Sequence, residues 1–142
     1  MTEEKFRFLE HTADAKFQAY GRTLEEAFGN AALATASLMW DPASIAGKIR
    51  VPLSARGRDL EQLLVRFLEE ILYLLESRFF LLGSAEGIKI EKRAGEYALE
   101  AVFRGDTNSD AYETHGGVKA VTYNEMNISK NDGYTVQVVL DV

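Results

Sequence analysis

The chain has 142 residues, 46% hydrophobic and 27% charged, enough length and apolar content to bury a core without covalent staples. It has no cysteine, which excludes disulfides, thiolate metal sites and a cysteine nucleophile. With 22 acidic against 16 basic residues and a net charge of −6, it lacks the cationic stripe that gripping a phosphate backbone requires. No strong direct nucleic-acid binding is therefore expected, and a basic protein partner suits the acidic surface better.

Met1-Thr2-Glu3-Glu4-Lys5 is polar and does not read as a leader peptide. Phe6 and Phe8, then Ala15, Phe17 and Ala19, alternate with polar residues and predict two opening strands. After Tyr20-Gly21, Thr23 followed by Glu26 is a capping-box signature. Leu24, Ala27, Phe28, Ala31, Thr35, Leu38 and Met39 then recur at helical spacing, and the helix should stop before Asp41-Pro42. Ile49, Val51, Leu53 and Ala55 alternate as a strand. Asp59 is placed to cap a second helix whose stripe is Leu60, Leu63, Leu64, Phe67, Leu68, Ile71, Leu72 and Leu75.

The longest apolar stretch, 63–82, is broken by Arg66, Glu69, Glu70, Glu76 and Arg78, so no membrane span is expected and a cytoplasmic location is the default. Ile88 and Ile90 lead through Ala94-Gly95-Glu96 into Tyr97, Leu99, Ala101 and Phe103, a hairpin pattern. The run 118–129 turns at Asn131-Asp132-Gly133 into Tyr134, Val136, Val138 and Leu140, a second hairpin. The predicted class is α+β: one domain over 1–142, with an antiparallel-rich mixed sheet packed on one side by two amphipathic helices.

The segment 105–117 has no hydrophobic periodicity, and its length suggests a mobile or partner-facing loop. Asp106, Asn108 and Asp110 copy the opening of an EF-hand loop. Ala111 then replaces the required glycine and Gly117 the bidentate glutamate, which excludes that motif. P-loop, G-x-G-x-x-G, H-E-x-x-H and G-x-S-x-G signatures are absent.

Three constellations remain. His11-Thr12-Ala13-Asp14 lies between the opening strands, where Thr12 and Asp14 can simply satisfy turn amides. Asp141 and the carboxylate of Val142 end the last strand, commonly a solvated end. If the fold brought Asp14 to Asp141, the crowded negative charge would call for a cation, a shared proton or a lysine. Oxygen ligands favour a hard divalent ion, Mg²⁺, Ca²⁺ or Mn²⁺. In Lys119-Ala120-Val121-Thr122-Tyr123-Asn124-Glu125-Met126, alternation places Lys119, Tyr123 and Glu125 on one face, either as a solvated ladder or presented toward a site.

These pieces together resemble the archease family. The resemblance runs from Phe8 to Val142 and is carried by His11-Thr12-Ala13-Asp14, by Tyr20-Gly21 with Thr23-Leu24-Glu25-Glu26-Ala27-Phe28, by Asp59-Leu60-Glu61-Gln62-Leu63-Leu64, by the segment 119–126, and by Leu140-Asp141-Val142. It implies a non-enzymatic protein cofactor of an RtcB-type RNA ligase in tRNA splicing and RNA repair. Such a cofactor promotes guanylylation of the ligase histidine and restores the ligase for repeated turnover. It also implies that Asp14, Asp141 and Val142 bind the divalent metal, with calcium among the candidates, and that His11, Lys119 and Tyr123 line the site or meet the partner. The resemblance to a heat-shock chaperone domain within that family supplies the alternative, a general chaperone-like binding module. Two departures stand out: Asn124 occupies a position that is often histidine, and the loop before Lys119 is shortened.

Overall fold

The computed structural model describes residues 4–11 and 13–142. The opening segment 1–3 and Thr12, whose side chain was expected to satisfy a turn amide, lie outside them. The chain runs β1 (Phe6–Leu9), β2 (Ala15–Gly21), α1 (Leu24–Ser37), a 3-10 turn (Pro42–Ser44), β3 (Ile49–Gly57), α2 (Leu60–Arg78), β4 (Phe80–Arg93), β5 (Glu96–Thr107), β6 (Ala120–Lys130) and β7 (Tyr134–Asp141). The α+β class and the two helices agree with the sequence. The strands, expected in one mixed sheet, form two sheets ordered β1-β2-β7-β6 and β3-β5-β4, and every described pair is antiparallel.

The helix starts are set by their caps. Thr23 Oγ1 accepts from Glu26 N at 3.1 Å, and Asp59 Oδ1 accepts from Gln62 N at 2.8 Å, each satisfying an amide that the first turn leaves open. α1 ends at Ser37, before the predicted Leu38 and Met39, because their amides turn back onto Thr35 O and Ala36 O and hand the chain to the Trp40–Thr114 bridge. β2 passes straight into α1 at Gly21, where a Cβ would lie 2.3 Å from Ala27 N; only a glycine admits that approach. α2 ends at Phe79, which takes the left-handed conformation (φ 53°) usual for a glycine at this position.

The helices fill the space between the sheets. α1 packs on β2 and β4, and α2 packs on β3 and β6, so each helix touches both sheets. Phe28 of α1, Phe67 of α2 and Phe103 of β5 are fully buried and stack in sequence, with centroid separations of 6.0 and 5.5 Å. On the four-stranded sheet, Phe17, Ala19, Val136, Val138 and Leu140 point into this core. The residues alternating with them (Lys16, Gln18, Gln137 and Asp141) therefore occupy the outer face.

The connection between β5 and β6 is tied down rather than loose. Asn108 N donates to Phe79 O and His115 N to Met39 O, both at 2.7 Å, while Tyr112 Oη donates to Asp106 Oδ2 at 2.6 Å and accepts from Ala46 N. No helix among the described residues is long and apolar enough to cross a membrane.

Candidate functional site

The β2–β7 register assembles the site. Lys16 pairs with Val139 and Ala15 with Leu140, where the β2–β7 ladder ends, so Asp14 and Asp141 each lie one residue beyond the last pair, at the same end of the sheet. Alternation with Val138 and Leu140 puts Asp141 on the outer face that carries Lys16. On the other side of β7, Asp141 pairs with Ala120, and its carbonyl accepts from Lys119 N at 2.7 Å. Val142 follows, 42% exposed. The ends of β2, β7 and β6 thus gather the backbones of Asp14, Asp141, Val142 and Lys119.

The β6 segment does not keep the alternation expected of it. Thr122 pairs with Val139 and the next pair is Asn127 with Gln137, so residues 123–126 bulge opposite Val138. Glu125 takes φ 52° within the bulge, and Gln137 Nε2 donates to its carbonyl at 2.8 Å. The bulge overturns the single face assigned to Lys119, Tyr123 and Glu125, because the extra residues re-aim the side chains beyond Thr122. Tyr123 ends 53% exposed on the surface. Lys119 is exposed and makes no ion pair among the described residues.

Glu125 instead reaches back across the sheet. Its Oε2 lies 2.9 Å from His11 Nε2, and its Oε1 accepts from Lys16 Nζ at 3.1 Å. The hydrogen bonds from His11 and then Lys16 hold its carboxyl below the usual carboxylate range, so Glu125 is ionised and accepts at both oxygens. His11 Nε2 is therefore the donor in this contact. The other ring nitrogen, Nδ1, is buried with no hydrogen-bond partner among the described residues, and it lies 3.9 Å from Asp14 Oδ2, beyond hydrogen-bond reach.

His11 and Asp14, both expected in the site, therefore stand together, with Asp141 at the same end of the sheet. Lys16 is the residue that sequence reasoning missed: a lysine in an alternating strand reads as solvated, yet its side chain is only 18% exposed and neutralises Glu125.

Among the described residues, no three His, Asp or Glu side chains are gathered as ready metal ligands.

The sequence signature of the Archease protein family (MTH1598/TM1083) matches residues 6–142. The chain is 41% identical over 143 residues to the "Protein archease" of Methanosarcina acetivorans, covering 98% of this chain and 97% of that one. It is 40% identical over 140 residues to the "Protein archease" of Sulfolobus acidocaldarius, covering 97% and 99%. The solution structure of Methanobacterium thermoautotrophicum protein 1598 superposes with a TM-score of 0.83 at 31% identity, over 97% of this chain and 99% of that one.

Proposed function

Because this chain belongs to the archease family, we propose that it is an accessory protein that activates an RtcB-type RNA ligase, promoting guanylylation of the ligase and its repeated turnover in tRNA splicing. Asp14 and Asp141, with the carboxylate of Val142, hold a divalent metal ion in this reading. Its main support is the β2–β7 register, which ends at the Ala15–Leu140 pair and so brings Asp14 and Asp141 to one end of the sheet.

The residues divide the work by position. Asp14 and Asp141 supply the negative charge that retains the cation, while Lys16 keeps the ionised Glu125 out of that set by pairing with it. When bound, the ion would offset phosphate charge during nucleotidyl transfer in the ligase. Tyr123 and Lys119, exposed at the same end of the sheet, are placed to meet the partner. The net charge of −6 favours docking on a basic protein over holding RNA directly.

The test is multiple-turnover ligation by the ligase from the same source, with Asp14→Ala and Asp141→Ala beside the unaltered protein. Loss of activation in both variants is expected. Full activation by both would remove the metal from the mechanism.

A further inference from the structure

We propose that the outer face of the three-stranded sheet is a docking surface for an extended acidic segment of a partner protein. Charge is not spread evenly over the chain. Residues 48–58 carry Lys48, Arg50, Arg56 and Arg58 and no carboxylate, within a chain whose net charge is −6. Val51 is buried in the core, so alternation along β3 places Arg50, Pro52, Ser54 and Arg56 on the opposite face, where all four are exposed. In register with them, β5 adds Arg104, Val102 and Glu100, and β4 adds Lys89. The helices pack on the inner faces of both sheets, so this surface lies on the far side of them from the outer face that carries Lys16.

Three of these cations lack a counter-charge. Arg104 donates to Gly47 O at 3.1 Å and to Glu86 Oε1 at 3.4 Å, and Arg93 pairs with Glu91. Arg50, Arg56 and Lys89 make no ion pair among the described residues. Arg50 is also directly opposed to Arg104, a like-charge pair that an added anion would relieve. Between the cations, Pro52, Ser54, Gly87, Lys89, Glu100 and Val102 line a shallow trough of about 500 Å³.

The free edge of β3 is closed to strand addition. Pro52 has no N–H to offer, and Arg56 O already accepts from Arg66 Nη1 at 2.9 Å. The occupant therefore lies across the face and meets side chains. Glu86, Glu91 and Glu100 are interleaved with the cations and would repel an unbroken line of phosphates, and the face has no aromatic ring on which a base could stack. Apolar surface at Pro52 and Val102 between cationic ends matches a polypeptide instead. From Arg50 to Arg56 the strand covers roughly 20 Å at about 3.3 Å per residue, so an extended segment of about seven residues, acidic at both ends and apolar at its centre, spans them.

The test titrates the full ¹⁵N-labelled chain at low salt with the blocked peptide Asp-Glu-Leu-Val-Leu-Glu-Asp, with its counterpart bearing lysine at every acidic position, and with hexauridylate. The acidic peptide is expected to shift the amides around Arg50, Arg56, Lys89 and Glu100 to saturation, and the lysine peptide to leave them in place. Added salt should weaken the binding. Arg50→Glu with Arg56→Glu should weaken it by at least about tenfold, whereas Lys130→Glu, a single charge reversal on the other sheet, should leave it unchanged. Tighter binding of hexauridylate at the same amides would assign the face to nucleic acid, and movement of these amides on concentrating the free protein would assign it to a second copy. Either result overturns the proposal. So does an acidic peptide that moves none of these amides, or that moves them equally in the double variant. Arg50→Gln with Arg56→Gln keeps the aliphatic stems and reads the same loss should the charge-reversed variant fail to fold.

Discussion

Asp14 precedes Ala15 and Asp141 follows Leu140, the pair that ends the β2–β7 ladder, so the two carboxylates belong to the same end of the four-stranded sheet. Like charges gathered at neighbouring strand ends repel each other, by up to roughly 1 kcal/mol. Asp14→Asn or Asp141→Asn is therefore expected to raise the unfolding midpoint slightly in EDTA. Adding Mn²⁺ should reverse the order, because only the unaltered protein gains stability from bound metal. Thermal melts with and without metal check this. A variant less stable than the parent in EDTA would mean that the two carboxylates do not repel in the folded state.

The aromatic stack predicts where stability is concentrated. Phe67 is fully buried between Phe28 and Phe103 and joins α1, α2 and β5. Phe67→Ala should cost about 3–5 kcal/mol, a large part of the stability of an ordinary domain. Phe67→Leu should cost much less. Urea unfolding followed by far-ultraviolet circular dichroism separates the two.

At the end of α2 the opposite effect is expected. Phe79 is 64% exposed and holds φ 53°, so its side chain gains little from burial while its backbone is strained. Phe79→Gly should leave the unfolding free energy unchanged or raise it by up to about 1 kcal/mol, relief of the strain being partly offset by the freer unfolded chain. A clear drop in midpoint would assign Phe79 a packing role that its exposure does not indicate.

Helix starts and turns were legible in the sequence because each rests on a few local residues. Thr23 and Asp59 cap as their side chains allow, and Ala94-Gly95 and Asp132-Gly133 take positive φ at the hairpin turns. The site was legible only in part. His11 and Asp14 are close because they share one turn, but the placement of Asp141 depends on strand register across most of the chain. The bulge at 123–126 leaves no mark in hydropathy, since its residues are a tyrosine, an asparagine, a glutamate and a methionine that fit an alternating strand equally well. Two sheets in place of one follow from α1 and α2 each having apolar surface enough to touch both, which a single amphipathic stripe does not reveal.

The loop after β5 gives a pH dependence. The hydrogen bond from Tyr112 Oη, followed by that from Thr107 N, holds the Asp106 carboxyl below its ordinary value near 3.8, and the same bond to Asp106 raises Tyr112 above its ordinary 10.0. A depressed folded-state carboxyl adds stability that is present above the unfolded value and is lost as pH falls through the folded one. A raised tyrosine adds stability that is complete below its unfolded value and is lost as pH rises through the folded one. Tyr112→Phe should therefore flatten both the acid and the alkaline limb of the midpoint against pH. Unchanged limbs would mean that the Tyr112–Asp106 bond does not persist in solution.

Ligase activation, the function proposed for this protein, is tested by guanylylation of the RtcB-type ligase from the same source by GTP, with metal supplied, in the presence and absence of this chain. A clear rise in guanylylated ligase is expected at substoichiometric amounts of the chain, and no such rise with Asp14→Ala or Asp141→Ala. Equal guanylylation with and without the chain, by a ligase competent in its own right, would contradict it.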